Sequence, residues 1–202
     1  MDETRKPRLI IFYRNPVWGK VKTRLARDVG NEKALRIYHK LAEHTQRATE
    51  TFKGERFVYY SERIEAADVW PEGTYHKAVQ RGDGLGERMH CAFEDAFTDG
   101  CEQVCIIGTD CLDMTSEIID VAFQSLAHND VVIGPAQDGG YYLLGLKQLH
   151  SAFFKDKIWG SDTVFDATMD DVKALHLSCG VLPVLRDIDR EEDLPDNWAR
   201  VL

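Results

Sequence analysis

Gln103-Val104-Cys105-Ile106-Ile107-Gly108-Thr109-Asp110-Cys111-Leu112-Asp113 is the stretch on which the fold turns. Its first half is a strongly apolar run of strand length, closed by a glycine. Two carboxylates follow at once, Asp110 and Asp113, where the strand leaves the core. Upstream, Arg8 to Tyr13 is another such run. It is apolar almost throughout, as a central strand covered on both faces would be. Arg56 to Tyr60 and Tyr75 to Gln80 add two more strands, with a short helical piece expected between them. Downstream, Asp130 to Gly134 and Tyr141 to Leu146 read as the fifth and sixth. Val181 to Leu185 is a late strand, and Pro183 inside it predicts an edge position.

Helical spacing fills the intervals. Asn31 to Phe52 places Ala34, Ile37, Leu41, Ala48 and Phe52 roughly on one face, with Asn31 as N-cap. Leu85 to about Phe97 is a second helix. Thr115 or Ser116 caps a third, which carries Ile118, Ile119, Ala122, Phe123 and Leu126, and Asp162 to Leu175 is a fourth. Strands alternating with helices predict an α/β three-layer sandwich with a mostly parallel mixed sheet. The 202 residues, with no repeat and no linker-like stretch, predict a single domain over 1–202.

In such sheets ligands bind beyond the carboxyl ends of the strands, where strand order reverses. The unusual residues of this chain follow strands four times. After the first comes Asn15-Pro16-Val17-Trp18-Gly19-Lys20-Val21-Lys22-Thr23-Arg24. There Gly19 lets backbone amides approach a phosphate, and Lys22 and Arg24 supply charge. A solvated basic turn is the plainer alternative. This is not a Walker A loop, because Arg14 stands where that loop needs its first glycine. Trp18, inside the loop, could cover a nucleotide or a partner subunit.

After the third strand comes Gln80-Arg81-Gly82-Asp83-Gly84-Leu85-Gly86. Its alternate glycines permit close approach to the backbone, and Gln80 can offer a base edge both a donor and an acceptor. A plain turn with a helix cap reads equally well. After the fourth strand, Asp110 is placed to hold a hard divalent cation, Mg²⁺ or Mn²⁺, although an Asp here could also serve only as a cap. After the fifth, Gly134-Pro135-Ala136-Gln137-Asp138-Gly139-Gly140-Tyr141-Tyr142 is a hairpin signal that also brings a second carboxylate, Asp138, to the same side.

Charge and cysteine content limit the classes of function. Acids outnumber Lys and Arg by 34 to 25, giving a formal charge of −9. That argues against nucleic-acid or membrane-surface partners. Residues 1–27 nevertheless hold eight Lys/Arg against two acids, whereas 187–196 hold six acids and only Arg190. A basic segment on an acidic chain suggests a small anionic ligand. Five cysteines without a C-x-x-C pair read as reduced thiols, and with no signal-peptide or membrane-length apolar run the expected location is the cytoplasm. The seven histidines are scattered without metal-ligand spacing.

Taken in order, several motifs form one pattern. They are Pro16-x-x-Gly19-x-x-Lys22-Thr23-Arg24-Leu25, Gly86-Glu87-Arg88-Met89, Gly108-Thr109-Asp110-Cys111, and Gly134-Pro135-Ala136-x-Asp138-Gly139-Gly140-Tyr141-Tyr142-Leu143. Asp187-Ile188-Asp189 and Glu192-Asp193-Leu194 follow. The pattern resembles the bacterial radical-SAM/selenodomain-associated transferases, a former domain of unknown function. That family is similar to the nucleotide-diphospho-sugar transferase superfamily, with the glycosyltransferase-A fold. The resemblance implies a nucleotide bound across the end of the first strand and a Mg²⁺ or Mn²⁺ ion on Asp110, with Asp138 as a second metal-side acid. By the same resemblance Lys22 and Arg24 contact phosphates, with Arg14 and Gly19 beside them. Gln80, Gly84, Leu85 and Gly86 line the base.

The expected activity is a metal-dependent transferase using a nucleotide or nucleotide-sugar donor and a small-molecule acceptor, with Lys22, Arg24 and Asp138 as candidate catalytic groups. Glycosyl and nucleotidyl transfer both fit, and Asp138 and Asp113 are the candidate bases. An inactive nucleotide-binding module is the alternative, and a homo-oligomer is left open.

Overall fold

The computed structural model describes residues 7–196 and Trp198. Arg5 and Lys6 of the basic segment therefore lie outside the described residues. The elements are β1 (Arg8–Tyr13), α1 (Thr23–Val29), α2 (Asn31–Thr49), β2 (Glu55–Tyr60), β3 (His76–Val79), α3 (Leu85–Thr98) and β4 (Val104–Ile107). α4 (Ser116–His128), β5 (Val131–Pro135), β6 (Tyr141–Leu146), α5 (Val164–Ala174) and β7 (Cys179–Val181) follow. Two 3-10 turns, Ser151–Phe154 and Glu191–Asp193, complete the set.

The strands form one seven-stranded sheet in the order β3-β2-β1-β4-β6-β5-β7. β1 runs parallel to both β2 and β4, and β6 alone runs against its neighbours, antiparallel to β4 and β5. The sheet is thus mostly parallel and mixed, as the sequence predicts. Order reverses between β1 and β4: the chain moves outward through β2 and β3, then returns across β1 to start β4. A gap opens there between the loops leaving the two strands.

The apolar runs face both ways because helices cover both faces. Leu9, Ile11, Val58, Cys105 and Ile107 pack under Tyr38, Ala42, Ala122 and Leu126 of α2 and α4. Ile10, Tyr59, Val104 and Ile106 point the other way, against Met89, Ala92, Phe93 and Ala96 of α3 and Val172 of α5. Each fully buried Leu, Ile or Phe side chain contributes about 1.5–3 kcal/mol.

Local departures from the expected elements have physical causes. Asn31 does not cap α2. Gly30, at φ +85°, serves as C-cap of α1 and N-cap of α2 at once, and its conformation is one a side chain would strain. α2 stops at Thr49, yet Phe52 still reaches the core and stacks on Phe123 at 4.6 Å. Thr115 does cap α4, its hydroxyl accepting from the Ile118 amide at 3.4 Å. The piece after β2 is not helical. Buried Asn15 orders it as turns, accepting from the Glu62 amide and donating to the Arg63 carbonyl and the Glu65 carboxylate. The late strand begins earlier than expected, at Cys179, and ends at Val181, since Pro183 has no amide proton to continue the ladder. It does lie at the sheet edge, and Leu185 makes only an isolated bridge to Ala136.

Candidate active site at the ends of strands 1 and 4

The gap between the β1 and β4 loops is a cleft of about 710 Å³. Three walls enclose it. The loop after β1 and the start of α1 contribute Arg14, Lys22 and Arg24. The turn into α3 contributes Gln80, Gly84, Leu85 and Arg88. The third wall joins the β5–β6 hairpin to the segment before α5, with Asp138, Tyr141 and Trp159.

Lys22 sits immediately before α1 with a left-handed backbone, φ 47° and ψ 46°. A non-glycine residue there costs about 1–2 kcal/mol and is held by what its side chain does. The side chain is 4% exposed, and its ammonium lies 3.1 Å from Oδ1 of both Asp110 and Asp189. Burial alone would lower the Lys22 pKa, but the two carboxylates raise it. Arg24 is 57% exposed and reaches Oδ2 of Asp189 at 3.3 Å. Both cations therefore point at carboxylates, with Arg24 open to solvent.

Asp110 follows β4 directly. Its carbonyl accepts from the Ile188 amide at 2.9 Å, and Cys111 pairs antiparallel with Asp187. This backbone pairing draws the acidic tail into the cleft. Asp187 is half-buried there, and its carboxyl is pushed up to about 7, first by burial and then by Asp110. Lys22 opposes the rise, while Asp138 and Asp189 add to it. Asp138 sits in the tight β5–β6 connection, its Oδ1 accepting from the Gly140 amide at 2.9 Å. The hairpin reading and the functional reading of this segment thus describe one and the same turn. Gly139, at φ +85°, passes so near the Asp162 backbone that a Cβ would come within 2.2 Å of its carbonyl oxygen.

On the second wall, Gln80 is less free than the sequence suggests. Its Nε2 donates to the Tyr59 carbonyl at 2.9 Å, and its Oε1 accepts from Arg88 at 3.4 Å. Arg88 is itself anchored through Nε to the Gly82 carbonyl at 2.9 Å. At Gly86 a Cβ would meet the Phe154 carbonyl and the Trp159 indole nitrogen, each at 2.5 Å, so only glycine lets this wall close.

The cleft accordingly gathers Arg14, Lys22, Arg24, Gln80, Gly84, Leu85, Asp110 and Asp138, together with Arg88, Asp187 and Asp189. Gly86 contacts Trp159 directly behind this lining. Gly19 does not line the cleft; its φ of +70° turns the loop beside the Asn31 side chain. Asp113 is exposed and away from the cleft, and Trp18 is 58% exposed without lining it. Arg88, Asp187 and Asp189 were not expected as cleft residues. The signal for the two acids was the alternation Asp187-x-Asp189, which places both on one side of an extended segment.

The donor set suits a hard divalent cation. Four carboxylates gather around one buried lysine, and the carboxyl of one of them, Asp187, is pushed up by burial and by its like-charged neighbours. That is a deficit of positive charge among oxygen ligands. Mg²⁺ and Mn²⁺ commonly take one or two protein carboxylates and complete their shell with substrate phosphates.

Comparison with known proteins agrees with this architecture. Residues 44–161 match the family described as an uncharacterized protein conserved in bacteria (DUF2064), and the chain belongs to that family. A candidate nucleotide-diphospho-sugar transferase from Desulfovibrio desulfuricans G20 superimposes with a TM-score of 0.86 at 31% identity, over 93% of this chain and 84% of that one. The inositol-1-phosphate CTP transferase from T. maritima shares the fold, with a TM-score of 0.54 at 9% identity over 94% and 92%. So does Rv0371c from Mycobacterium tuberculosis H37Rv, solved as a manganese complex, with a TM-score of 0.56 at 9% identity over 93% and 95%. The fold is that of the nucleotide-diphospho-sugar transferases. No curated protein matches the chain. Among the described residues no helix is long and apolar enough to cross a membrane.

Proposed function

We propose that the chain is a transferase whose donor is a nucleoside triphosphate or a nucleoside-diphosphate sugar, held with Mg²⁺ or Mn²⁺ at the rim of β1 and β4. The observation that carries this reading is the convergence of Asp110, Asp138 and Asp187 with Lys22 and Arg24 at the reversal of strand order. Its fold relatives include a CTP transferase and a candidate nucleotide-sugar transferase, and one relative is known as a manganese complex.

Asp110, Asp138 and Asp187 would hold the cation, which supplies neutralisation of phosphate charge as the leaving group departs. Lys22 keeps Asp110 and Asp189 in place and presents its ammonium to the same region. Arg24, being exposed, exchanges Asp189 for a phosphate oxygen, to which its two parallel N–H groups are suited. Arg14 adds a further positive charge on the same wall. Gln80, steadied by Arg88, lies with Gly84 and Leu85 against the base, and Gly86 backs that wall. Trp159 and Tyr141 close the opposite wall and exclude water from the acceptor side. An acceptor oxygen then displaces either pyrophosphate from an α-phosphorus or nucleoside diphosphate from an anomeric carbon. Most of the acceleration comes from positioning and electrostatics. Free cysteines throughout suit a reducing, cytoplasmic setting.

A second reading rests on Lys22. Its ammonium already bridges Asp110 and Asp189. A cleft neutralised from within could bind a nucleotide without metal and without turnover. A thermal-shift panel of triphosphates and nucleotide sugars, with and without Mg²⁺ or Mn²⁺, separates the two. A ligand at about 100 times its dissociation constant adds about 2.7 kcal/mol. Stabilisation that requires metal, followed by release of pyrophosphate or nucleoside diphosphate, supports the transferase. Metal-independent stabilisation without turnover supports the binding module, and no stabilisation by any nucleotide ends both.

A further inference from the structure

The outward face of α3, away from the aspartates of the cleft, carries a second set of donors. His90, Cys91 and Glu94 each offer one ligand atom, and the three atoms lie within 4.8 Å of one another. Among the described residues no other group of three or more His, Cys, Asp or Glu side chains comes so close. Helical geometry explains the grouping. Glu94 is one turn beyond His90 and three residues beyond Cys91, so it meets both on the same side of the helix. Met89, Ala92, Phe93 and Ala96 occupy the opposite side and pack into the core. His90 and Cys91 are half-buried and Glu94 is exposed, so an ion from solvent can reach them.

The histidine is also oriented. Its Nε2 lies 3.2 Å from the Ser151 hydroxyl, and its ring meets Phe154 edge-on at 5.5 Å. The tautomer that donates from Nε2 leaves the lone pair on Nδ1. An outer hydrogen bond of this kind is what fixes the ring of a metal-bound histidine. The donors are one imidazole nitrogen, one sulfur and one carboxylate oxygen. That mixture is wrong for Mg²⁺, which takes oxygen, and right for a borderline cation.

We propose that His90, Cys91 and Glu94 form a site for a transition cation of the Zn²⁺ class, with its fourth position left to water. The site uses none of the cleft residues and stands independently of the transferase reading. Ligands of a tetrahedral Zn²⁺ are about 3.5 Å apart, so binding draws the three donors closer than their present spacing. The thiol proton passes to solvent as the sulfur binds. The His90–Ser151 hydrogen bond links the site to the turn whose Phe154 carbonyl packs on Gly86.

Cobalt titration of the full-length, reduced protein tests this, because a thiolate on Co²⁺ gives a charge-transfer band in the near ultraviolet. We expect the band to saturate at one equivalent and to vanish on adding Zn²⁺. Cys91→Ser abolishes it, whereas Cys179→Ser leaves it intact. His90→Ala and Glu94→Gln weaken cobalt affinity by about tenfold or more. No band with the wild type, or a band that survives Cys91→Ser, overturns the site. Peptide mapping after iodoacetamide treatment of the wild type gives a reading that needs no variant: Zn²⁺ protects Cys91 at this site, and equal labelling with and without Zn²⁺ contradicts it.

Discussion

At each end of the sheet a buried cation holds two carboxylates, and the two arrangements differ in what surrounds them. At the amino end of β1, Arg8 is 4% exposed and binds Glu55 at 2.6 Å and Asp99 at 2.8 Å. The Phe57 ring lies 4.1 Å from its guanidinium carbon. At the carboxyl end, Lys22 is equally buried and binds Asp110 and Asp189, but Asp187 and Asp138 crowd in as well. In the Arg8 cluster each carboxylate bonds the guanidinium directly, and the residue lies on ordinary extended backbone. The Lys22 cluster has two further acids, Asp138 and Asp187, that form no ion pair among the described residues, and a left-handed backbone at its centre. Complete pairing marks a structural ion cluster. Excess charge held under strain marks a place prepared for something that is not protein.

The largest effect that would break this contrast is at Arg8. Arg8→Ala strands Glu55 and Asp99 without their buried partner and should cost about 3 kcal/mol in urea unfolding, the low end for a broken buried pair because both acids remain partly exposed. A loss under about 1 kcal/mol would mean that the cluster is not structural.

Next in size is the ligand-linked effect at the other end. Asp110→Ala should remove the metal-dependent part of nucleotide stabilisation, about 2.7 kcal/mol near saturation, while leaving the unliganded protein folded. If the metal-dependent shift is as large in the variant as in the wild type, Asp110 has been placed in the wrong role.

A smaller effect sharpens the contrast through pH. The Asp187 carboxyl is raised from the ordinary carboxylate range to about 7. Between those values the folded chain holds a proton that the unfolded chain has released, so stability falls as pH rises through this window. Asp187→Asn removes that dependence. In chelator-treated buffer the variant should gain on the wild type between pH 4 and 7, read from paired melting curves. Parallel curves would show that the Asp187 carboxyl is not raised in the folded chain.

The smallest effect is expected at Arg24, whose pair with Asp189 is exposed. Arg24→Ala should change stability by no more than about 0.5 kcal/mol while weakening triphosphate binding severalfold in calorimetry. Equal affinity would take Arg24 out of the phosphate site.

Much of this arrangement was written locally in the chain. The apolar runs of β1 and β4 give two central strands, and the odd residues just after them give the cleft. Asp110, Lys22, Arg24 and Asp138 converge because each follows a strand end on the same rim. The rest depends on distant pairing. Asp187 enters the cleft only because Ile188 donates to the Asp110 carbonyl and Cys111 bridges Asp187, contacts with no local signature. Gln80 is a free amide by composition and an engaged one in the fold, since Tyr59 and Arg88 occupy it. The insertion of β6 between β4 and β5 was not legible either, because the hairpin signal at Asp138-Gly139-Gly140 fixes the reversal without fixing which strand the return pairs with next.

The central claim is that the crowded acids at the β1 and β4 rim are completed by a divalent cation carrying nucleotide phosphates. The most direct measurement follows the spin-resonance signal of free Mn²⁺ as protein is added at fixed triphosphate concentration. The account predicts that wild-type protein depletes the free-ion signal more strongly with nucleotide than without, and that Asp110→Ala and Asp187→Asn each lose this cooperative uptake. Uptake identical in wild type and both variants, or unaffected by nucleotide, would contradict it.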